Sequence, residues 1–229
     1  MKIFLDTAGI DEIRTAARWG VLDGVTTNPS LFAKVGGSYD EVLEQICEIT
    51  PGPVSAEVVA DDVEGMLREG RHFAKLAPNI VVKVPMSEDG LEAIARFSRE
   101  GIRTNCTLIF SANQGLLAAK AGASLLSPFA GRLDDINQDG MEVVRQLVAI
   151  VETYDLDAEV LAASIRSPRH MTEAALAGAH IATVPLKVLT QMIHHPLTDK
   201  GIVQFREDWE VAQAARPAEA PLPAGSRGA

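Results

Sequence analysis

Lys83 lies in Val81-Val82-Lys83-Val84-Pro85, a run of apolar residues that carries a single ammonium. An apolar strand disfavours the charged form of a lysine, and the free amine is a nucleophile for carbonyl carbon. That is the opening step of Schiff-base chemistry. An isolated lysine of this kind more often snorkels its head to the strand end or pairs with a carboxylate, so the assignment depends on which residues arrive with it. Forming and breaking an imine needs an acid/base at the carbinolamine and a route for water; Glu57 and Thr107 fit these roles beside Lys83. Splitting a carbon–carbon bond of the adduct also needs a base for the hydroxyl on the neighbouring carbon, and Asp6 is the candidate, with Asn28 and Asn105 holding substrate hydroxyls. Arg132 and Arg166, with Ser127 and Ser164, could clamp a phosphate through forked, charge-assisted hydrogen bonds.

These residues are far apart in the chain, so the elements that carry them must converge. Short β-rich runs at 2–6, 23–26, 53–58, 79–84, 102–106, 123–126, 159–163 and 180–184 alternate with helical patterns. The helices run from Asp11 to Trp19, Tyr39 to Ile49, Asp61 to Ala74, Asp89 to Arg99, Ser111 to Ala121, Gly140 to Tyr154, Pro168 to Ala177 and Leu186 to Ile193. Asp61 and Ser111 suit N-caps, Pro168 a first helical turn, and Gly20, Gly101, Gly122 and Gly178 stand where helices should stop. Eight such units predict an α/β fold, a (β/α)8 TIM barrel. The alternative, an open doubly wound sheet, usually carries a glycine-rich first turn, and Asp6-Thr7-Ala8-Gly9 is not one.

In a parallel barrel the working face is the carboxyl end of the strands. Asp6 closes the first strand, Thr26-Thr27-Asn28 the second and Glu57 the third, with Lys83 near the end of the fourth. The fifth is followed by Asn105 and Thr107, the sixth by Ser127-Pro128-Phe129-Ala130-Gly131-Arg132, and the seventh by Ser164-Ile165-Arg166. The eighth reads as apolar to its end. Each residue alone has a structural explanation as cap, turn residue or surface charge; their joint arrival at one face is harder to explain by packing. Alternation adds that Asn105 with Thr107, Ser164 with Arg166, and Lys83 with Val81 share faces.

Composition narrows the partners. The 229 residues are 47% hydrophobic with a formal charge of −10, enough for a sizeable core and opposed to the dense positive footprint that nucleic acid or an anionic membrane surface requires. No apolar run approaches a membrane span, and Met1-Lys2-Ile3-Phe4-Leu5-Asp6 meets an acid too soon for a signal peptide, so the expectation is a cytoplasmic protein. Cys47 and Cys106 read as buried thiols. Past Gly201, Ile202, Phe205, Trp209 and Val211 outline one helix more than the barrel needs. The expected organisation is a catalytic barrel over 1–195, a helical extension over 196–214, and a disordered Ala/Pro/Gly tail over 215–229.

Six segments together resemble the transaldolase family, in its short-chain branch that also holds the fructose-6-phosphate aldolases. They are Phe4-Leu5-Asp6-Thr7-Ala8, Gly24-Val25-Thr26-Thr27-Asn28-Pro29-Ser30-Leu31, Val82-Lys83-Val84-Pro85, Asn105-Cys106-Thr107-Leu108-Ile109-Phe110-Ser111, Ser127-Pro128-Phe129-Ala130-Gly131-Arg132 and Ala163-Ser164-Ile165-Arg166. The resemblance spans residue 2 to about 210. It implies a metal-free, cofactor-free class I mechanism in which Lys83 forms the imine, Glu57 and Thr107 hold the catalytic water, and Asp6 is the acid/base. It further makes Thr27, Asn28, Asn105, Ser127, Phe129, Arg132, Ser164 and Arg166 substrate contacts. The activity implied is transfer of a dihydroxyacetone unit from a ketose phosphate to an aldose phosphate in the pentose phosphate pathway. Glu57 and Phe129 match the transaldolase pattern, where aldolase-type members typically have glutamine and tyrosine. The rivals are a fructose-6-phosphate aldolase, which releases free dihydroxyacetone, and a non-catalytic sugar-phosphate-binding protein. His195-Pro196-Leu197-Thr198-Asp199 and the helix after it are similar to the segment that packs on a neighbouring subunit in ring-shaped relatives, implying a homo-oligomer, pentamer or decamer.

Overall fold

A computed structural model describes residues 1–214. Eight parallel strands, β1 (Lys2–Asp6), β2 (Gly24–Thr26), β3 (Val54–Glu57), β4 (Ile80–Pro85), β5 (Thr104–Ile109), β6 (Leu125–Pro128), β7 (Glu159–Ala162) and β8 (Ile181–Val184), pair in sequence order. β8 returns to pair with β1, with Ile3 opposite Ala182 and Leu5 opposite Val184, so the sheet closes into the expected barrel. The helices are α1 (Ile10–Arg18), α2 (Pro29–Val35), α3 (Tyr39–Ile49), α4 (Val63–Leu76), α5 (Glu88–Arg99), α6 (Ala112–Ala121), α7 (Ala130–Asp134), α8 (Gly140–Thr153), α9 (Pro168–Leu176), α10 (Leu186–Ile193) and α11 (Pro196–Ala214). No helix among the described residues is long and apolar enough to cross a membrane. The chain divides into two compact units, Met1–Gln191 and a second that begins at Met192. The expected tail, 215–229, lies outside the described residues.

Local chemistry accounts for most boundaries. Ser111 caps α6, accepting the Gln114 N–H at 3.3 Å. At α4 the capping residue is Asp62, not the expected Asp61: its carboxylate accepts the Gly65 N–H at 2.9 Å, and the helix starts one residue later. Gly20, Gly101, Gly122 and Gly178 all take positive φ at helix ends, a conformation that costs a residue with a Cβ. Two short helices, α2 and α7, are additions to the expected pattern. α2 follows from Asn28-Pro29: the Asn28 carboxamide oxygen accepts the Leu31 N–H at 3.0 Å and Pro29 opens the first turn, as capping chemistry favours.

The barrel interior has two storeys. The lower one is apolar, formed by Phe4, Val81, Leu125, Leu161 and Ile181. Two residues further along five of these strands, on the same inward face, stand Asp6, Lys83, Ser127, Ala163 and Thr183, and Thr26 on β2 and Asn105 on β5 join them. Phe4 occupies the centre because Gly24 lacks a side chain. A Cβ at Gly24 would lie 2.6 Å from two Phe4 ring carbons and 2.7 Å from the Pro53 carbonyl oxygen. Outside the strands, a larger apolar layer that includes Leu5, Ile13, Leu43, Leu67, Phe97 and Leu147 seals the helices to the sheet.

Gly24→Ala is therefore expected to destabilise the barrel by about 1–3 kcal/mol through overpacking, read as a lower urea midpoint at unchanged denaturant slope. A midpoint equal to that of the parent chain would show that Phe4 can move aside at no cost.

Candidate active site

The site is assembled by register. Pairing of β3 with β4 sets Glu57 beside Lys83, and pairing of β4 with β5 sets Lys83 beside Asn105. Lys83 is 4% exposed; its Nζ lies 2.9 Å from Glu57 Oε2 and donates to the Thr27 carbonyl at 3.0 Å. The lysine is thus both held in an apolar strand and met by a carboxylate. Asp6, at the end of β1, accepts the Thr26 hydroxyl at 2.8 Å, and Thr26 Oγ1 is 2.6 Å from Thr183 Oγ1. Burial pushes the Asp6 carboxyl above its ordinary 3.8, opposed first by the charge of Lys83, then by the Thr26 hydrogen bond and the charge of Lys34.

A cavity of about 180 Å³ opens on this floor, lined by Asp6, Thr26, Asn28, Lys83, Ser127, Phe129, Arg132, Leu161, Ala163, Ser164, Arg166 and Thr183. Eight of the twelve residues singled out from the sequence line it: Asp6, Asn28, Lys83, Ser127, Phe129, Arg132, Ser164 and Arg166. The other four stand behind the wall. Glu57 reaches Lys83, and Thr27 contributes its carbonyl to Lys83 while its hydroxyl donates to the Ser55 carbonyl at 2.7 Å. Asn105 donates to Ser55 Oγ at 3.0 Å and accepts the Ser127 hydroxyl at 2.7 Å, so its amide is anchored by Ser55 at one end and holds Ser127 with the other. Thr107 is buried, and its hydroxyl has no hydrogen-bond partner among the described residues, a state that costs about 1–3 kcal/mol. With its oxygen committed to capping α2, Asn28 has its amide nitrogen left for the cavity.

The rim depends on irregular backbone. Alternation along one strand does not account for Ser164 and Arg166, because β7 ends at Ala162 and Ser164 takes φ +59; the loop sets both side chains. β5 carries a register shift between Cys106 and Ile109, with Leu108 at φ +58. Arg132, on α7, places its guanidinium carbon 5.1 Å from the centroid of the Phe129 ring, a cation–π contact, and Phe110 meets the same ring edge-on at 6.0 Å.

Two participants escaped the sequence reading. Thr183 lies in a strand read as apolar to its end, yet it lines the cavity and bridges to Thr26; its position two residues after Ile181 was the available signal. Tyr39, the first residue of α3, donates its hydroxyl to the Glu57 carbonyl at 3.2 Å and packs between Phe32 and Phe73. Burial and then the Glu57 carboxylate push the Tyr39 phenol up to about 12, keeping it a neutral donor. Burial likewise raises the thiols of Cys47 to about 11 and Cys106 to about 12, so neither is a ready nucleophile.

The raised Asp6 carboxyl has a consequence for stability. Between 3.8 and its raised value the folded chain holds a proton that the unfolded chain has released, so stability falls as pH rises through that window and stays lower above it. Asp6→Asn is expected to remove this fall: urea midpoints of the variant should gain on those of the parent as pH rises from acid to neutral. A variant that loses ground over the same range would contradict the assignment.

The model of the Transaldolase/Fructose-6-phosphate aldolase family matches residues 3–219. A probable transaldolase of Thermoanaerobacter sp. (strain X514) is 58% identical over 212 residues, covering 93% of this chain and 98% of the relative. Another, of Heliobacterium modesticaldum, is 60% identical over 210 residues, 92% of this chain and 98% of its own length. A third, of Roseiflexus sp. (strain RS-1), is 56% identical over 217 residues, 94% and 100% of the two chains. The family match runs from the first strand past the last, and the chain belongs to the transaldolase/fructose-6-phosphate aldolase family.

Proposed function

We propose that this chain is a transaldolase that carries a dihydroxyacetone unit from a ketose phosphate, sedoheptulose 7-phosphate or fructose 6-phosphate, to an aldose phosphate through an imine on Lys83. The observation that supports it best is the 2.9 Å contact of Glu57 with Lys83, which lines a cavity whose rim carries two arginines. Glu57 can take a proton from the ammonium and leave a free amine, which attacks the ketose carbonyl. Glu57 then returns a proton to the carbinolamine oxygen, which departs as water as the imine forms. The buried hydroxyl of Thr107, one strand from Glu57's partner lysine, suits a second contact to that water. Asp6 removes the proton of the hydroxyl next to the bond that breaks. The aldose phosphate leaves, and its bonding electrons pass into the enamine on Lys83. Burial gives Asp6 the proton affinity that this step needs. An incoming aldehyde reverses the sequence, and hydrolysis of the new imine frees the product.

Arg132 and Arg166, with Ser127 and Ser164, are read as the contacts of the substrate phosphate. The relatives' name, probable transaldolase, favours transfer over release of free dihydroxyacetone, as does the pairing of Glu57 with Phe129, whose ring offers no hydroxyl. This reading carries with it a cytoplasmic enzyme of the non-oxidative pentose phosphate pathway that needs no metal or cofactor. For assembly, the exposed α11 supports a homo-oligomer, for which the family resemblance implies a pentamer or decamer. None of its residues is buried, and Phe205 and Trp209, 76% and 59% exposed, share a face with Ile202. Burial of that stripe against a neighbouring subunit is favoured over solvent.

Borohydride reduction in the presence of fructose 6-phosphate is expected to add one three-carbon unit to the peptide that holds Lys83. Lys83→Arg is expected to abolish turnover, because guanidinium does not deprotonate. Three-carbon transfer to glyceraldehyde 3-phosphate should outpace release of dihydroxyacetone; the opposite ratio would identify an aldolase, and binding without either reaction a non-catalytic sugar-phosphate protein. Label on any other peptide would remove Lys83 from its role.

Truncation after His195 is expected to give smaller particles in sedimentation, with Schiff-base formation partly retained. A truncated chain that sediments as the same oligomer would show that α11 is not the subunit contact.

A further inference from the structure

The two arginines of the rim are held differently. Arg132 lies over the Phe129 ring and, among the described residues, has no carboxylate within ion-pair distance. Arg166 donates from Nη2 to Asp135 Oδ2 at 2.8 Å, and the two side chains are 53% and 56% exposed. Asp135 terminates α7, three residues after Arg132, so one short helix supplies the first arginine and the counter-ion of the second. The stem of Arg166 is confined as well. A Cβ on Gly131 would come within 2.8 Å of its Cγ and 3.0 Å of its Nε. Its backbone N–H donates to His170 Nδ1 at 3.3 Å, and His170 Nε2 reaches Asp134 Oδ2 at 3.1 Å. The Gly131 backbone thus borders the stem on one side, and the guanidinium beyond it can change partners.

We propose that Asp135 is a built-in competitor of the substrate phosphate for Arg166, and thereby sets how tightly the site holds a phosphorylated sugar. This rests on the reading of Arg166 as a phosphate ligand. A monodentate, half-exposed ion pair is weak, so a dianionic phosphate that offers two oxygens to the guanidinium fork displaces it readily. The phosphate must break that pair to bind, so the pair's free energy is subtracted from its own affinity. An orienting role would make Asp135 a helper; the close passage of the stem at Gly131 already directs it, which leaves the charge of Asp135 as the larger effect. Such an opponent favours release of phosphorylated product.

Asp135→Asn retains a hydrogen-bond acceptor for Arg166 and deletes only the charge. With inorganic phosphate as competitive inhibitor, its inhibition constant is expected to fall about two- to fivefold, the range of an exposed charge interaction. KM for fructose 6-phosphate should fall with it, KM for unphosphorylated fructose should not move, and the effect should shrink as salt is raised. In an Arg166→Ala background the same substitution should do nothing. Unchanged or weaker phosphate inhibition in Asp135→Asn overturns the proposal while leaving Arg166 as a ligand, provided that Arg166→Ala alone weakens inhibition. If Arg166→Ala leaves phosphate inhibition intact, the phosphate reading itself fails and this proposal with it. Tightening that persists without Arg166 would place the action of Asp135 elsewhere.

Discussion

The pair of Lys83 and Glu57 is the interaction on which this site depends. Both charges are largely buried at the carboxyl end of a barrel, where removing ions from water costs several kcal/mol each and only close approach with further hydrogen bonds offsets it. The structure supplies both conditions: a 2.9 Å contact between the charges and a second acceptor for the lysine in the Thr27 carbonyl. Neither residue could be placed there by local sequence preference alone. β3 and β4 must pair in the one register that sets Glu57 opposite Lys83, since a slip by one residue would turn either side chain toward the helices.

Below this pair lies the apolar storey, and the two are mutually dependent. Phe4 fills the barrel axis because Gly24 leaves it room, which dries the floor from beneath. A dry floor strengthens every electrostatic effect above it, including the burial that lifts the Asp6 carboxyl. The hydroxyl chain of Thr183, Thr26 and Asp6, and the amide of Asn105 holding Ser127, are arranged so that little can rotate. On the proposed reading, a bound sugar meets groups already oriented, which is how such a site lowers a barrier without reorganising.

The rim is built on another principle. Ser164 and Leu108 take left-handed backbone, a short helix interrupts the β6–α8 connection, and the arginines are secured by an aromatic ring on one side and a carboxylate on the other. Sheet geometry fixes the floor and loop geometry fixes the rim. A constant chemistry below, with adjustable contacts above, is what barrel enzymes draw from this division.

Much of this was legible in the chain itself. The eight-fold alternation, the glycines at helix ends and the polar residues at strand ends follow from periodicity and capping chemistry, which act within a few residues and so are written locally. The apolar setting of Lys83 and the six family-like segments named the candidate groups. What tertiary structure alone decided are the pairings across strands: Glu57 with Lys83, Thr183 with Thr26, Tyr39 with the Glu57 carbonyl, Asp135 with Arg166. It also decided which candidates face the cavity and which stand behind it, as Asn105, Thr27, Thr107 and Glu57 do. Thr26 and Thr183, 157 positions apart in the chain, meet here. Their contact depends on barrel closure and register, and no local pattern encodes the distance between two side chains that only the closed sheet brings together.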